Sequence, residues 1–186
     1  MLAWTIQPLT IMQDIEQYGI FRCDPSRSFN LSKANSLKPA YRWLMGEMRE
    51  RIGAAPEGVV YPIWAWHTWE GEHKAPDPDS AAFLQRTEDK VYLTLDLPED
   101  HAILTDYEKW QSVMMNTFLF WGKNEEEVQQ QIDEADSLEG EALEAAMQKS
   151  WQNVFQLADA HYIQATFWEI RREYIVDAKI LRVNAD

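Results

Sequence analysis

The sequence has one cysteine, Cys23, in 186 residues, so no disulfide can form within the chain and a reducing compartment is indicated. Zinc-ligand spacings such as His-x-x-x-His and Cys-x-x-Cys are also missing, because the four histidines are far apart: His67, His73, His101 and His161. We therefore expect no protein-bound metal. No apolar run approaches ~18 residues, and the first residues lack a basic segment followed by an apolar one. We expect neither a membrane span nor a secretion signal.

Basic residues are scarce. The chain has 17 lysines and arginines against 31 acidic residues, and its formal net charge is −14. Such a surface repels phosphate backbones and anionic membranes, so a nucleic-acid partner and a membrane partner are disfavoured, whereas a basic protein partner is not. The sequence also has no Gly-x-Ser-x-Gly elbow and no glycine-rich phosphate loop. Nothing therefore supports a serine hydrolase or a P-loop enzyme. Because the chain has a single cysteine and shows neither a secretion signal nor a membrane span, the cytoplasm is the expected location.

Apolar residues are plentiful by contrast. They make up 46% of the chain, nine of them are tryptophans, and the length suits one domain over residues 1–186. A buried aromatic side chain covers roughly 150–250 Å², so much of this set must form core, and some of it can line a pocket.

Alternating apolar and polar residues predict several strands. The clearest are 2–7 and 91–97, and further strands are expected at 20–22, 59–69, 101–104, 162–170 and 175–183. Pro62 implies that the segment 59–69 is an edge strand or contains a bulge, because proline lacks a backbone hydrogen-bond donor.

Apolar spacings of three and four predict helices between these strands. A short helix follows Thr10, which forms a capping-box pattern with Gln13, and it ends before Gly19. A longer helix is expected over 36–52, a third after a cap at Thr105 or Asp106, and a helical stripe over 143–155. The mixed order predicts an α+β fold with a mixed or antiparallel sheet of about five or six strands and about four helices.

Five stretches together resemble a bacterial family, the domain of unknown function numbered 3841. In chain order they are Trp4-Thr5-Ile6-Gln7, Tyr18-Gly19-Ile20-Phe21-Arg22 with Asp24-Pro25, Tyr61-Pro62-Ile63-Trp64-Ala65-Trp66, Leu104-Thr105-Asp106-Tyr107 with Trp110, and Gln164-Ala165-Thr166-Phe167-Trp168-Glu169-Ile170. The resemblance covers nearly the whole chain and is weakest over 123–144. It implies a small bacterial cytoplasmic protein and carries no reaction with it.

The strand after Pro62 is rich in aromatic residues. Trp64 and Trp66 stand at i and i+2, so they share a face and could stack on a planar ring or cover the central helix as core. We predict a small-ligand pocket with an apolar wall and a few directional polar groups. The predicted wall consists of Trp4, Trp64, Trp66 and Trp110, and the predicted polar contacts are Thr5, Gln7, Arg22, Asp106, Gln164 and Glu169.

The chain opens with a strand that carries Trp4, Thr5 and Gln7, followed by a short helix and a glycine, and it has a late strand that carries Gln164 and Glu169. This order of elements is similar in layout to ADP-ribosyltransferase-like domains. That resemblance implies NAD in a cleft between two halves of a sheet, with a glutamate on a late strand that stabilises the ribosyl cation. On this hypothesis Glu169 is the electrostatic catalyst, Thr5 and Gln7 orient the ligand, and Arg22 holds the pyrophosphate. Trp4 or Thr5 occupies the place where such folds carry a histidine or arginine. The alternative for Glu169 is a strand residue paired with Arg171 or Arg172.

Residues 123–144 carry nine acidic side chains and one lysine. The segment is typical of a solvated helical surface, but it could also occupy a basic site on a partner protein. Cys23, beside Arg22, is either a reactive thiol or a buried structural residue. Two functions therefore stay open from the sequence: a ligand-binding domain related in layout to ADP-ribosyl transfer, and a non-catalytic acidic interaction protein.

Overall fold

A computed structural model describes residues 1–24, 37–83 and 87–183. Eight strands are present in these residues: β1 (Leu2–Pro8), β2 (Ile20–Arg22), β3 (Ile63–Thr68), β4 (Lys90–Asp96), β5 (Ala102–Asp106), β6 (Ile163–Phe167), β7 (Glu169–Arg171) and β8 (Ile175–Leu181). Five α-helices accompany them: α1 (Ile11–Tyr18), α2 (Lys38–Ile52), α3 (Tyr107–Met114), α4 (Glu125–Asp136) and α5 (Gly140–Ser150). Short 3-10 turns lie at Glu99–His101, Trp151–Phe155 and Arg172–Tyr174.

Six strands form one sheet in the order β5-β6-β3-β1-β4-β8, and every neighbouring pair is antiparallel. The remaining two, β2 and β7, pair with each other in a small separate sheet. The predicted α+β class is thus confirmed, with an antiparallel main sheet. Each helix of the described residues is too short or too polar to cross a lipid bilayer.

One face of the main sheet packs against α1 and the small sheet. Its side chains alternate with those of the other face, as the pleat requires, and they form the largest apolar cluster. Ile11 and Ile15 of α1 and Ile170 of β7 meet this face and are almost fully buried. The small sheet is therefore held by apolar contact against the main one.

The other face is covered in two parts. Helices α2 and α3 pack over β3, β5 and β6 through a cluster that includes Leu44, Trp110 and Trp151. Over β1 and β4 the cover is the segment 69–83, which is held where the Tyr92 hydroxyl donates to the Pro76 carbonyl oxygen at 2.8 Å. The two covers leave a gap above β1 and β3.

Several element ends follow directly from local chemistry. Helix α1 ends at Gly19, whose φ of 74° is the left-handed conformation that glycine adopts at little cost. Helix α3 begins after Asp106, whose side chain accepts from the amides of Glu108 and Lys109. The capping box predicted at Thr10 is wrong, since the Thr10 side chain makes no capping hydrogen bond.

Two predicted strands are shorter in the structure than in the sequence pattern. The segment predicted at 59–69 is a strand only from Ile63 to Thr68, because Pro62 has no backbone donor to extend the ladder. The segment predicted at 162–170 bends at Trp168, so β6 ends at Phe167 and Glu169 falls on the small sheet. The first residue of the helix predicted over 36–52, Ser36, lies outside the described residues.

Candidate ligand-binding cleft between two strands

The main sheet is split between β1 and β3. Strand β1 pairs with β4 along its whole length, Leu2 to Pro8, but it is in register with β3 at Trp4 and Trp66 alone. Beyond that pair a side chain replaces the ladder: the Thr5 hydroxyl donates to the Trp64 backbone oxygen at 2.8 Å. The Gln7 side-chain nitrogen in turn donates to the Thr5 oxygen at 2.8 Å. The two strands are therefore paired at one end, and beyond that pair the Thr5 side chain links them in place of backbone hydrogen bonds.

A cavity of about 390 Å³ opens at this split. Six of the ten residues that the sequence predicts as a site line it: Trp4, Thr5, Gln7, Trp64, Trp66 and Gln164. The other described lining residues are Ile6, Ala65, Ala82, Phe83 and Lys90. The volume lies in the range of about 300–1,000 Å³ that is usual for small-molecule sites. We call this cavity the strand cleft.

Lys90 is the strand-cleft residue that sequence reasoning missed. It stands opposite Pro8 in the β1–β4 register, and its Nζ lies 2.6 Å from a carboxylate oxygen of Glu88. Side chains alternate between the two faces of a strand, so Lys90 points away from the face that the apolar Val91 occupies. This alternation is the sequence signal that could have placed Lys90 on the same face of the sheet as Trp4 and Ile6. Lys90 supplies a cation at the open end of the strand cleft.

A second cavity, of about 490 Å³, adjoins the strand cleft. The two cavities share four lining residues, Ile6, Gln7, Trp64 and Lys90. The second one is also lined by Cys23, Asp24 and Tyr41. Burial, and to a lesser degree the neighbouring Asp24, raises the pKa of the Cys23 thiol. The thiol is therefore protonated at neutral pH and is a poor nucleophile, which favours the structural interpretation of this cysteine.

Ring packing fixes the aromatic wall of the strand cleft. Trp66 meets the edges or faces of three rings, Trp69 at 4.8 Å, Tyr107 at 5.0 Å and Tyr162 at 6.4 Å between centroids. Trp64 packs on Trp110 at 5.2 Å, and Trp110 is only 2% exposed. Trp110 thus supports Trp64 from within the core and does not line the cleft. Such packing fixes both indoles before any ligand arrives.

Arg22 and Glu169 lie together, but away from the strand cleft. They face each other across the β2–β7 pair, and Arg22 Nε is 3.1 Å from Glu169 Oε2. The second carboxylate oxygen of Glu169 is 2.7 Å from Arg171 Nε. The Glu169 side chain is only 7% exposed, so its carboxylate is desolvated and neutralised by two guanidinium groups.

Glu169 lines a third, smaller cavity of about 150 Å³, together with residues such as His101, Arg171 and Tyr174. Gln7 does not border this cavity, and Glu169 does not border the strand cleft. The structure therefore does not bring the predicted catalyst to the predicted ligand-orienting residues.

Asp106 also has a local task. One oxygen of its carboxylate accepts the amides of Glu108 at 2.9 Å and Lys109 at 3.2 Å, and the other is 3.3 Å from Lys109 Nζ. It caps α3 and lies outside the strand cleft. In the part of the chain that the structure describes, no three His, Cys, Asp or Glu side chains form a group able to hold a metal ion.

No curated protein and no solved structure matches the chain. A family model described as "Domain of unknown function (DUF3841)" matches residues 2–176 of the 186-residue chain. The chain therefore belongs to the DUF3841 family.

Proposed function

We propose that this domain binds a small planar ligand in the strand cleft, between the separated strands β1 and β3. The observation that carries the proposal is the split itself, because it opens a cavity of about 390 Å³ beside two fixed indoles. Each base that stacks on an aromatic side chain contributes roughly 1–3 kcal/mol to binding. The single cysteine and the acidic surface favour the cytoplasm as the place where the domain works.

The polar groups of the strand cleft fit a ligand that carries an amide or a ring nitrogen. Gln7 and Gln164 each offer an amide, which can donate and accept hydrogen bonds. The Gln164 side chain has no hydrogen-bond partner elsewhere in the described residues, so it is available to a ligand. Lys90 lies at the same cleft, and a phosphate or carboxylate on the ligand would take the place of the Glu88 carboxylate that now pairs with its Nζ at 2.6 Å.

NAD is the first ligand to test. Its nicotinamide is a planar ring with a carboxamide, and its pyrophosphate is the kind of group that Lys90 would attract. The layout resemblance to ADP-ribosyltransferase-like domains points the same way, since NAD lies between sheet halves in such folds. We assign no catalytic step to Glu169, because its carboxylate is held by Arg22 and Arg171 in another cavity.

Calorimetric titration tests this proposal. NAD, nicotinamide, ADP-ribose and AMP are titrated into the wild-type protein and into Gln164→Ala and Trp66→Leu variants. Gln129→Ala, on the exposed surface of α4, is the matched control. We expect at least one probe to bind, and each cleft variant to weaken it about tenfold, the effect of losing ~1.4 kcal/mol. Binding of none of the probes, or equal binding by the cleft variants, would refute the proposal.

Release of nicotinamide from NAD separates binding from catalysis. A domain that only binds NAD releases none above the buffer rate. Turnover that Glu169→Gln abolishes, in a variant with an unchanged circular dichroism spectrum, would instead establish cleavage of the nicotinamide–ribose bond, with water as the acceptor of the ADP-ribosyl group, and would require Glu169 to leave its ion pairs.

A further inference from the structure

The two ends of the main sheet, β5 and β8, differ sharply in exposure. Four of the five residues of β5 are buried, and Ile103 belongs to the apolar cluster that also includes Leu44 of α2. Residues 176–180 of β8 are all exposed. The folded chain therefore covers one end of the sheet and leaves the other in contact with water.

The outer side of β8 is a row of backbone groups without a neighbouring strand. In the part of the chain that the structure describes, this seven-residue strand pairs with β4 alone, and no other backbone hydrogen bond joins it to another element. The β4–β8 ladder shifts register near Ile175 and is regular from Asp177 to Leu181. The strand also contains no proline. A long, regular edge of this kind is a ready template for pairing with another strand.

Apolar side chains accompany this open edge. Val176 and Ile180 have exposed fractions of 62% and 49%. Ile180 stands opposite Val91 of β4, and Ala178 stands opposite Leu93, and both β4 residues belong to the largest apolar cluster. The apolar face of the sheet therefore continues onto β8, where a paired strand would remove these side chains from water.

The side chains of β8 are complementary to those of a second β8. When a strand pairs antiparallel with its own copy about a two-fold axis at Ala178, residues equally far from Ala178 on either side lie opposite each other. Asp177 then faces the partner's Lys179, and Val176 faces the partner's Ile180. Symmetry repeats each pair. Opposite-charge pairs and pairs of β-branched residues both stabilise antiparallel strands.

Charge selects this register over its neighbours. Two opposite residues must both direct their backbone groups toward the partner, or both away from it, so the axis must pass through a residue and not between two. An axis at Asp177 would place two aspartates directly opposite each other, and an axis at Lys179 would do the same with two lysines. Like charges in that position destabilise a strand pair. Ala178 is therefore the favoured centre.

Both charged side chains can enter these pairs. Asp177 forms no salt bridge within residues 1–24, 37–83 and 87–183. Lys179 Nζ lies 3.3 Å from a carboxylate oxygen of Asp79, but the two side chains are 55% and 58% exposed, so this ion pair contributes little to stability. An ammonium group has three donors and can contact Asp79 and the partner's Asp177 together.

We propose that β8 is a self-association edge, which pairs antiparallel with β8 of a second copy about Ala178. Two six-stranded sheets would thereby join into one continuous sheet. The strand cleft lies between β1 and β3, and β4 separates β1 from β8 in the sheet order. The proposal is therefore independent of ligand binding in the strand cleft.

Sedimentation equilibrium tests the association itself. The buffer contains 0.15 M salt, which screens the repulsion between two copies that each carry a formal charge of −14. The wild type should change from a monomer of 21.8 kDa to a dimer as its concentration rises from about 5 to 500 μM, because one strand pair is a small contact of modest affinity. A protein that stays monomeric over this range would refute the proposal.

Charge variants test the pairing of Asp177 with Lys179. Lys179→Glu should weaken the dimer by roughly tenfold or more, because two acids would then face each other in both pairs. Lys149→Glu, on α5, changes the net charge equally and should weaken it by less than about twofold. Adding Asp177→Lys to Lys179→Glu exchanges the two charges and should restore the dimer. Equal weakening by the two single variants, or no recovery in the double variant, would contradict the pairing.

Cysteine cross-linking tests the register, in a Cys23→Ser background. Ala178→Cys places two thiols at the two-fold axis, where opposite Cα atoms are roughly 4.5–5.5 Å apart, a distance that a disulfide spans. Ile180→Cys is the matched control, since position 180 is also exposed but lies opposite the partner's Val176. Under mild oxidation we expect Ala178→Cys to form a covalent dimer about tenfold faster. Equal rates would mean that the edges only collide or pair in another register, and would overturn the proposal.

Discussion

The Thr5 hydroxyl and the Trp64 backbone oxygen are joined by a 2.8 Å hydrogen bond at the point where the main sheet divides. Thr5 also accepts from Gln7, so one buried side chain connects the two strand edges and positions a polar residue of the strand cleft. Because β1 and β3 share only the Trp4–Trp66 pair, this hydrogen bond limits how far the strands separate.

Thr5→Val should therefore destabilise the fold. Valine keeps the shape but leaves the Trp64 carbonyl and the Gln7 amide without their partner, which costs about 1–3 kcal/mol. Thr166→Val is the matched control, because Thr166 is fully buried and its hydroxyl has no hydrogen bond in the structure. Urea unfolding should show a loss for the first variant and no loss for the second. Equal losses in the free energy of unfolding would mean that the Thr5 hydrogen bond does not stabilise the fold.

Glu169→Gln should lower stability and leave ligand binding unchanged. The variant removes a buried charge from between Arg22 and Arg171, but these arginines are 41% and 40% exposed and can be solvated instead. We therefore expect a loss of about 1–2 kcal/mol, below the 3–5 kcal/mol of a fully buried pair. Glu173→Gln, at a 64% exposed side chain, should cost less than about 0.5 kcal/mol. Ligand binding that fails in Glu169→Gln would place this residue in the site.

Acidification should weaken the fold through His67. Burial, aided by the nearby His73 and the N-terminal amine, lowers the pKa of His67. The folded protein therefore holds fewer protons than the unfolded chain as pH falls below the ordinary histidine value of about 6.5, so stability is lost in that direction. The two imidazoles stack at 4.2 Å, and the amine is paired with Asp96.

His67→Asn isolates this contribution. The free energy of unfolding is measured from pH 7.5 to 5.5 for both proteins, and the effects of the many carboxylates are common to them. The wild type should lose more stability over this range than the variant. Parallel curves would show that His67 does not titrate differently in the folded state.

Cys23 should react slowly with thiol reagents. Because burial and Asp24 raise its pKa, the thiolate is a smaller fraction of the population than in a free thiol. Modification by iodoacetamide at pH 7.5 should be slower in the folded protein than in 8 M urea, by roughly threefold to tenfold. A faster reaction in the folded protein would indicate an activated cysteine and reopen nucleophilic chemistry in the second cavity.

Sequence patterns located most elements because those patterns are local. The alternation over 91–97 reflects a strand with one face in the core, and the spacing over 36–52 reflects the buried stripe of α2. The same patterns placed Trp64 and Trp66 on one face, and the structure has both at the strand cleft.

The split and the position of Glu169 could not be read in this way. Whether β1 pairs fully with β3 depends on two segments that are far apart in the sequence, and the alternation of apolar and polar residues is the same in a closed sheet and in a divided one. Glu169 follows β6 closely in the sequence and was predicted to lie on the same strand, but the bend at Trp168 places it on the small sheet. The family resemblance implied no three-dimensional structure, so it could not show that the sheet is divided or that Glu169 lies on the small sheet.

The indole signals of the nine tryptophans test the central claim most directly. In a nitrogen-15-labelled sample, each indole N–H gives a separate resonance that can be assigned by single substitution. On titration with the tightest of the planar probes, we expect the resonances of Trp4, Trp64 and Trp66 to shift with one common dissociation constant. Those of Trp43 and Trp151, which pack against each other in the helical core, should stay in place. Shifts confined to Trp43 and Trp151, or none at all under saturating probe, would contradict a ligand site between β1 and β3.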